Sequence, residues 1–581
     1  MSELDRLFAS TGVPQAHAAR VRAHLGETAA ARLREDPWLL LLVPGVLPEQ
    51  ADRFARALLG ADPGSADARR CRALVTHLLL RAARAGHTAT PVEDVVTELS
   101  ALGVPDPEQA VEAALDEATV MMFEEEPPES EDFGEAGDDG GDAGEVPDPY
   151  EPARTLALAR HGLAEEAVAE GVVRLMATAG PLLDDPSALD VPEEIREAAM
   201  AALRCGVSIV AGAEQDLERA VAPLSALGAH GVRVAVAAAT ARAAAALSVP
   251  SEVTAASLHR LLDARDAAGG VAFGRGEQSP IEADLVIVYD AAALDVELAA
   301  ALVEACADGA HLVLCGDPAG LLPAGPGRVF ADLAGSAAVP VTRAGPAATG
   351  GEGALIRELA AAVDRGRLPR VDAPDRQVVI VPAAGDDAAA HRTVQLVTDS
   401  IPRALGIAAA DVQVVTPAWA GAAGAAVLNR MLKERLNPGH GAHEGFDVGD
   451  RVLVHGPLPQ AAPGETGVVR AATEDGLEIE FPDGMATVPR PLLPRLRPGW
   501  AMTVRQARGT RWPAVVAVLP AEAGEPLSRA LVSTAFGRAQ RHLSVVQAAG
   551  PALAGAVRSG TAPGPGRRTR LTGLLAGMLG G

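Results

Sequence analysis

The feature that most limits the fold is a set of short, nearly continuous apolar runs separated by helical patterns. They are VSIVAG (207–212), VRVAVAAAT (232–240), ADLVIVYD (283–290) and AHLVLCGD (310–317). A strand that is apolar along its whole length has both faces covered, which is the condition of a parallel sheet. Strands alternating with helices predict an α/β domain. A second set, RQVVIVPA (376–383), VQVVTPA (412–418), AVVAVLP (514–520) and HLSVVQA (542–548), predicts a second sheet of the same kind. Within that second set, FDVGDRVLVHG, GETGVVRA and LEIEFPDG are short strands broken by Gly and Pro, and predict a small inserted β-barrel of the SH3 type over 446–495.

The chain has 581 residues and 48% apolar content, enough for several packed domains. Its formal charge is −26. A uniformly acidic surface would repel nucleic acid. The charge is concentrated, however. Residues 124–151 hold thirteen acids and no base, half of the net charge, so the rest is much nearer neutral. That segment has almost nothing to bury and is expected to be a disordered linker. A sharper reading makes it a DNA mimic that competes for a basic channel. The four cysteines lie far apart with no CxxC pair, which argues against a zinc site and against a disulfide framework. The N-terminus, MSELDRLFAST, has neither the basic nor the apolar region of a signal peptide. No apolar run approaches the ~20 residues of a membrane span. The expectation is a cytoplasmic protein with no membrane partner.

Residues 1–123 read as helical, with apolar residues at i, i+3, i+4 in AHAARVRAHL, ADRFARALL and ARRCRALVTHLLLRAARAG. The stretch DPWLLLLVPGVLPEQADRFARALL places a tight turn, Pro44-Gly45-Val46, between two helices. It resembles a helix-hairpin-helix unit, whose hairpin offers backbone N–H groups to a DNA phosphate. Leu47 stands where that pattern has a second glycine, and a side chain there hinders close approach of the backbone to phosphate. Two bundle helices joined by a tight turn are the alternative.

From ARRCRALVTHLLLRAARAGHTATPVEDV onward the chain resembles RecD-like superfamily 1 DNA helicases, motif by motif and in order. The matching segments are VRVAVAAATARAAAALS, AASLHRLL, ADLVIVYDAAALDVELAAALV, HLVLCGDPAGLLPAGPGRVFADL, VQVVTPAWAGAAGAAVLNRMLKERLNP, FDVGDRVLVHG, AMTVRQARGTRWPAVV and LVSTAFGRAQRHLSVV. The resemblance implies two tandem RecA-like lobes of the P-loop type, ATP and Mg²⁺ as cofactors, and DNA as partner. It also places Thr240, His259, Thr416, Trp419 and Arg451 in segments that line a DNA-strand channel.

The ATP-handling positions depart from the family. A phosphate loop should follow Val207–Val210, and there the chain reads AGAEQDLERA. Ala213 and Leu217 fill loop glycine positions, Glu218 the lysine position and Arg219 the Thr/Ser position that would bind Mg²⁺. The chain has a single lysine, Lys433, which follows no glycine-rich loop and cannot be a displaced substitute. A carboxylate facing phosphate at ~4 Å and an effective dielectric of ~20 costs about 4 kcal/mol, and the attraction is lost as well. Tyr289 replaces the Mg²⁺-holding Asp, Asp290 replaces the water-activating Glu, and Gly320 replaces the Gln of GDxxQ. No Arg lies between Arg343 and Arg357, so the second-lobe arginine motif is also missing. Asp317 and Arg538 still match.

The expected organisation is a helix-hairpin-helix domain (1–123), the acidic linker (124–151), a helical connector (152–190), a degenerate RecA-like lobe 1 (191–345), lobe 2 in two parts (346–445 and 496–560) around the barrel, and a weakly ordered tail (561–581). The expected function is a DNA-binding RecD-like protein that has lost ATP hydrolysis, with no catalytic residues and no cofactor. It would act as an accessory or scaffold in DNA repair or recombination, with single-stranded DNA and other repair proteins as partners. The alternatives are an active ATP-dependent 5′→3′ helicase, for which ATP and Mg²⁺ return as cofactors, and a protein-interaction scaffold without DNA binding.

Overall fold

A computed structural model describes residues 3–11, 13, 18–26, 28–60, 64–125, 153–185, 191–267, 270–345, 351–371, 376–456, 458–522, 527–560 and 566–580. The chain divides into two compact units. One comprises 1–167, 325–327 and 567–581, the other 168–324 and 328–566. Among the described residues no helix is long and apolar enough to cross a membrane.

In the first unit, amphipathic helices such as Pro48–Leu59 and Ala68–Arg84 surround a core of Phe8, Leu33, Trp38, Phe54, Leu74 and Leu99. Phe8 and Phe54 meet edge to face at 6.1 Å, the arrangement the ring quadrupoles favour. The buried Trp38 donates its indole N–H to Asp52 at 2.9 Å, and Arg70 holds the same carboxylate at 2.9 Å.

Three expectations change here. The N-terminal region is not wholly helical: Thr90–Pro91, Val120–Glu125 and Ala153–Leu158 form an antiparallel three-stranded sheet. Glu124 and Glu125 therefore belong to a strand, paired with Arg154 and Ala153, while 126–151 of the acidic segment lie outside the described residues. The connector likewise opens with a strand, because RTLAL pairs with VMMFEE and buries Leu156, Ala157 and Leu158. The tail is the third. Residues 566–580 are described and carry the helix Leu571–Gly580. Leu571 and Leu575 are buried, Arg570 stacks 3.2 Å from the Phe123 ring centroid, and its backbone N–H donates to Glu165 at 3.1 Å. The basic-then-apolar pattern read as weak order is thus a docking pattern within this unit.

The second unit contains both parallel sheets. The first has six strands in the order Val341–Arg343, Val207–Ala211, His311–Gly316, Leu285–Tyr289, Val234–Ala238, Ala255–Ser257, all parallel. The second has five, also parallel: Val378–Pro382, Ala539–Gln547, Trp512–Leu519, Val412–Thr416, Ala501–Thr503. Central strands Val207–Ala211, Leu285–Tyr289 and His311–Gly316 are buried at every position, which is why their sequences do not alternate. A five-stranded antiparallel sheet, Arg451–Val454 through Leu496–Pro498, interrupts the second lobe and has its own core of Val452, Val454, Val469, Ile479, Phe481 and Val488.

Register decides where chemistry can sit. Cys315 lies beside Tyr289, and Gly316 beside Ala211. The loops after three neighbouring strands therefore open together at the carboxyl edge of the first sheet, the usual ligand position in open α/β sheets.

Candidate functional site

At that edge a cleft of about 330 Å³ opens between the first sheet's loops and the second lobe. Its floor is the turn after Val207–Ala211 and the helix Glu214–Ser225, which begins at Ala213 without a side-chain cap. A helix start with aligned N–H groups is an anion position. Here the helix supplies its own anions: Glu214 and Asp216 in the first turn, then Glu218. Carboxylates at this end are favoured by the helix dipole.

These carboxylates are met by arginines from the second lobe. Arg511 donates to Glu218 Oε2 at 2.9 Å, and its other nitrogen lies 3.8 Å from Glu214. Arg538, 1% exposed, is ion-paired to Glu214 and donates to the carbonyls of Thr534 at 3.0 Å and Thr510 at 3.1 Å. Burial pulls the Arg538 pKa down to about 9, which leaves it charged at neutral pH. The Tyr289 hydroxyl reaches Glu214 at 3.3 Å and Glu218 at 3.4 Å. Burial, then the Glu218 charge, holds the phenol well above its ordinary pKa, so it remains a donor.

Asp290 forms a second node. It occupies the left-handed region (φ 56°, ψ 41°), which Asp tolerates better than most residues. Arg508 grips it with Nε at 3.0 Å from both carboxylate oxygens, and donates to the Leu321 carbonyl as well. Burial raises the Asp290 pKa and Arg508 opposes that shift. Gly509 makes the approach possible: at φ +69° it adopts a backbone conformation that side chains resist, and a Cβ there would lie 3.2 Å from Asp290. Asp317 accepts the Ala319 N–H at 2.9 Å and has a pKa raised by burial. Gly320 sits against it, where a Cβ would meet the Asp317 carbonyl at 3.1 Å. Arg219 is exposed and does not line the cleft.

This donor set does not fit Mg²⁺ and a nucleoside triphosphate. The helix start presents carboxylates, the Thr/Ser position is an exposed arginine, and the metal-holding carboxylate is a buried phenol. Among the described residues no cluster of His, Cys, Asp and Glu is arranged to hold a metal.

The candidate DNA contacts fall in several places. Thr240 caps the helix Ala241–Ala246 and pairs with the Thr510 hydroxyl at 3.0 Å. His259 is buried edge to face with Phe273, and burial takes its pKa to about 4, so it is neutral. Thr416 donates to the Ala423 carbonyl at 3.0 Å. Arg451 is enclosed, donates to the Val412 carbonyl at 3.1 Å, and has a pKa lowered to about 10 by burial. Trp419 is half-buried under the guanidinium of Arg497, 4.3 Å from the ring centroid. In the N-terminal turn Gly45 is exposed at φ +83°, Pro44 accepts from Arg20 at 3.3 Å, and Val46 is buried. The Val46 N–H goes to Val43 and the Leu47 N–H to the Gln50 side chain, so both donors are engaged within the turn.

Glu214, Arg508 and Arg511 escape the sequence reading. The available signal was charge complementarity: three acids in GAEQDLE and three arginines in TVRQARGTRW.

Comparison with known proteins follows this architecture. Residues 1–89 match the family described as the ATP-dependent RecD2 DNA helicase HHH domain, and 219–384 match an AAA domain family. The ATP-dependent RecD2 DNA helicase of Deinococcus radiodurans is 30% identical over 323 residues, 53% of this chain but only 42% of that protein. The RecBCD enzyme subunit RecD of Mycolicibacterium smegmatis is 29% identical over 448 residues, 68% of this chain and 78% of that one. A solved Pif1 helicase from Candida albicans aligns at 14% identity with a TM-score of 0.34, covering 61% of this chain and 94% of that one, a likeness too loose to carry weight. Together the sequence matches show a chain similar to RecD-like helicases, with an N-terminal region that matches their helix-hairpin-helix domain.

Proposed function

We propose that the chain is a RecD-like protein that binds DNA without coupled ATP hydrolysis and serves as an accessory factor in repair or recombination. One observation carries this reading: Glu214 and Glu218, at the helix start where phosphates would bind, are ion-paired to Arg538 and Arg511. A triphosphate would have to displace these carboxylates and then lie beside them. The RecD-like lobes and helix-hairpin-helix domain support DNA as the partner. The antiparallel domain, which we read as SH3-like, completes the second lobe.

The surface most suited to a DNA strand is Trp419 with Arg497. An indole under a guanidinium offers stacking for a base and charge for a phosphate. Single-stranded DNA is expected to bind in a salt-dependent, sequence-independent way. Trp419→Ala should weaken binding by ~1–3 kcal/mol, read by fluorescence anisotropy with a labelled oligonucleotide. Absence of retention at ~50 mM salt, where phosphate contacts are strongest, would instead support a protein scaffold.

A further inference from the structure

We propose that the ion pairs across the cleft are an internal latch, holding the two lobes closed whether or not nucleotide or DNA is present. This rests on the reading that the cleft no longer takes ATP, and extends it to how the lobes move.

Three features support it. First, the pairs all bridge the lobes. Glu214, Glu218 and Asp290 follow strands of the first sheet; Arg508 and Arg511 precede Trp512–Leu519 and Arg538 precedes Ala539–Gln547, both strands of the second. Second, two of the three arginines are held by backbone carbonyls as well as by their carboxylates. Arg538 is held by the carbonyls of Thr510 and Thr534, Arg508 by that of Leu321. Arg538 is held from within its own lobe and so forms a preorganised fork for a carboxylate, whereas the Arg508–Leu321 bond is a further contact across the cleft. Third, the contacts are sheltered. The Arg508 and Asp290 side chains are 11% and 14% exposed, so salt screens them far less than surface pairs.

A ligand shifts a conformational equilibrium only through its differential affinity for the two states. Nucleotide would close the cleft of an ATP-driven pair of lobes by joining groups on both sides. Here the protein's own carboxylates join those sides already. Closure is therefore built into the chain, and ATP has no open state to capture.

The test is a distance measurement across the cleft in the full-length protein. Nitroxide labels at Ser251→Cys and Ser559→Cys, both exposed positions, report on the two lobes in a Cys205→Ser background. Pulsed electron resonance should give one narrow distribution, unmoved by Mg·ATP or by a single-stranded oligonucleotide. Arg508→Ala with Arg511→Ala should broaden it and shift it to longer distance. If that pair of changes prevents folding, Glu214→Gln with Glu218→Gln removes charge at nearly constant shape and must give the same opening. A wild-type distribution that is broad or moves with nucleotide overturns the latch, as does a folded latch variant that keeps the wild-type distance. The two readings separate cleanly. Fixed lobes in a protein that hydrolyses ATP would leave the latch and remove the function proposed above, whereas mobile lobes without nucleotide binding would do the reverse.

Discussion

Arg538→Ala is expected to destabilise the protein by about 3–5 kcal/mol, the cost of breaking a buried charge pair from one side. The side chain is 1% exposed, and it serves one carboxylate and the carbonyls of Thr534, Thr510 and, at 3.4 Å, Ala507. Its removal leaves Glu214 in the cleft with Arg511, at 3.8 Å, as its cationic partner among the described residues. Denaturant unfolding followed by tryptophan fluorescence measures the loss. The double variant Arg538→Ala with Glu214→Ala should lose clearly less than the sum of the single changes, because groups in direct contact do not act independently. Additive losses would mean that the pair is incidental.

The second large effect is a pH dependence centred on Glu465. This residue lies in the turn between Arg451–Val454 and Thr466–Ala472, is 3% exposed, and accepts the Ala241 N–H at 2.6 Å. Burial raises its pKa from 4.5 to about 7. The Ala241 N–H and the Arg242 charge pull it down, and Asp483 pushes it up. A pKa raised on folding favours the protonated form in the native state. Its contribution is complete below about pH 4.5 and is lost as pH rises through about 7. The shift corresponds to roughly 3 kcal/mol. Glu465→Gln should thus gain on the wild type across that interval and level off above it, measured as the difference between unfolding free energies at pH 5 and pH 8. Parallel pH curves for the two proteins would remove Glu465 as the cause.

The fold was largely legible because its signals are local. Continuous apolar runs such as LVIVY mark doubly covered strands wherever they occur. The departures at Glu218, Tyr289 and Gly320 were legible for a similar reason, since each can be judged within its own motif. The ion pairs that cross the cleft were not. Glu218 and Arg511 are 293 residues apart, and Glu214 and Arg538 are 324 apart. No period or spacing links such positions; only the register of two sheets brings them together. The same limit explains Arg451. Its motif suggested a strand channel, yet every residue of its strand is buried and its guanidinium is taken up by Val412. The tail misled in the opposite sense. RRTRLTGLL has no partner nearby in sequence, so its anchors at Phe123 and Glu165 could not be seen.

The most direct test of the central claim is a calorimetric titration of the full-length protein with Mg·ATP, with and without single-stranded DNA. The account predicts no saturable binding up to ~1 mM nucleotide, equivalent to less than about 4 kcal/mol of affinity, and no DNA-stimulated phosphate release. Micromolar binding, or hydrolysis that disappears in Asp290→Asn, would contradict it.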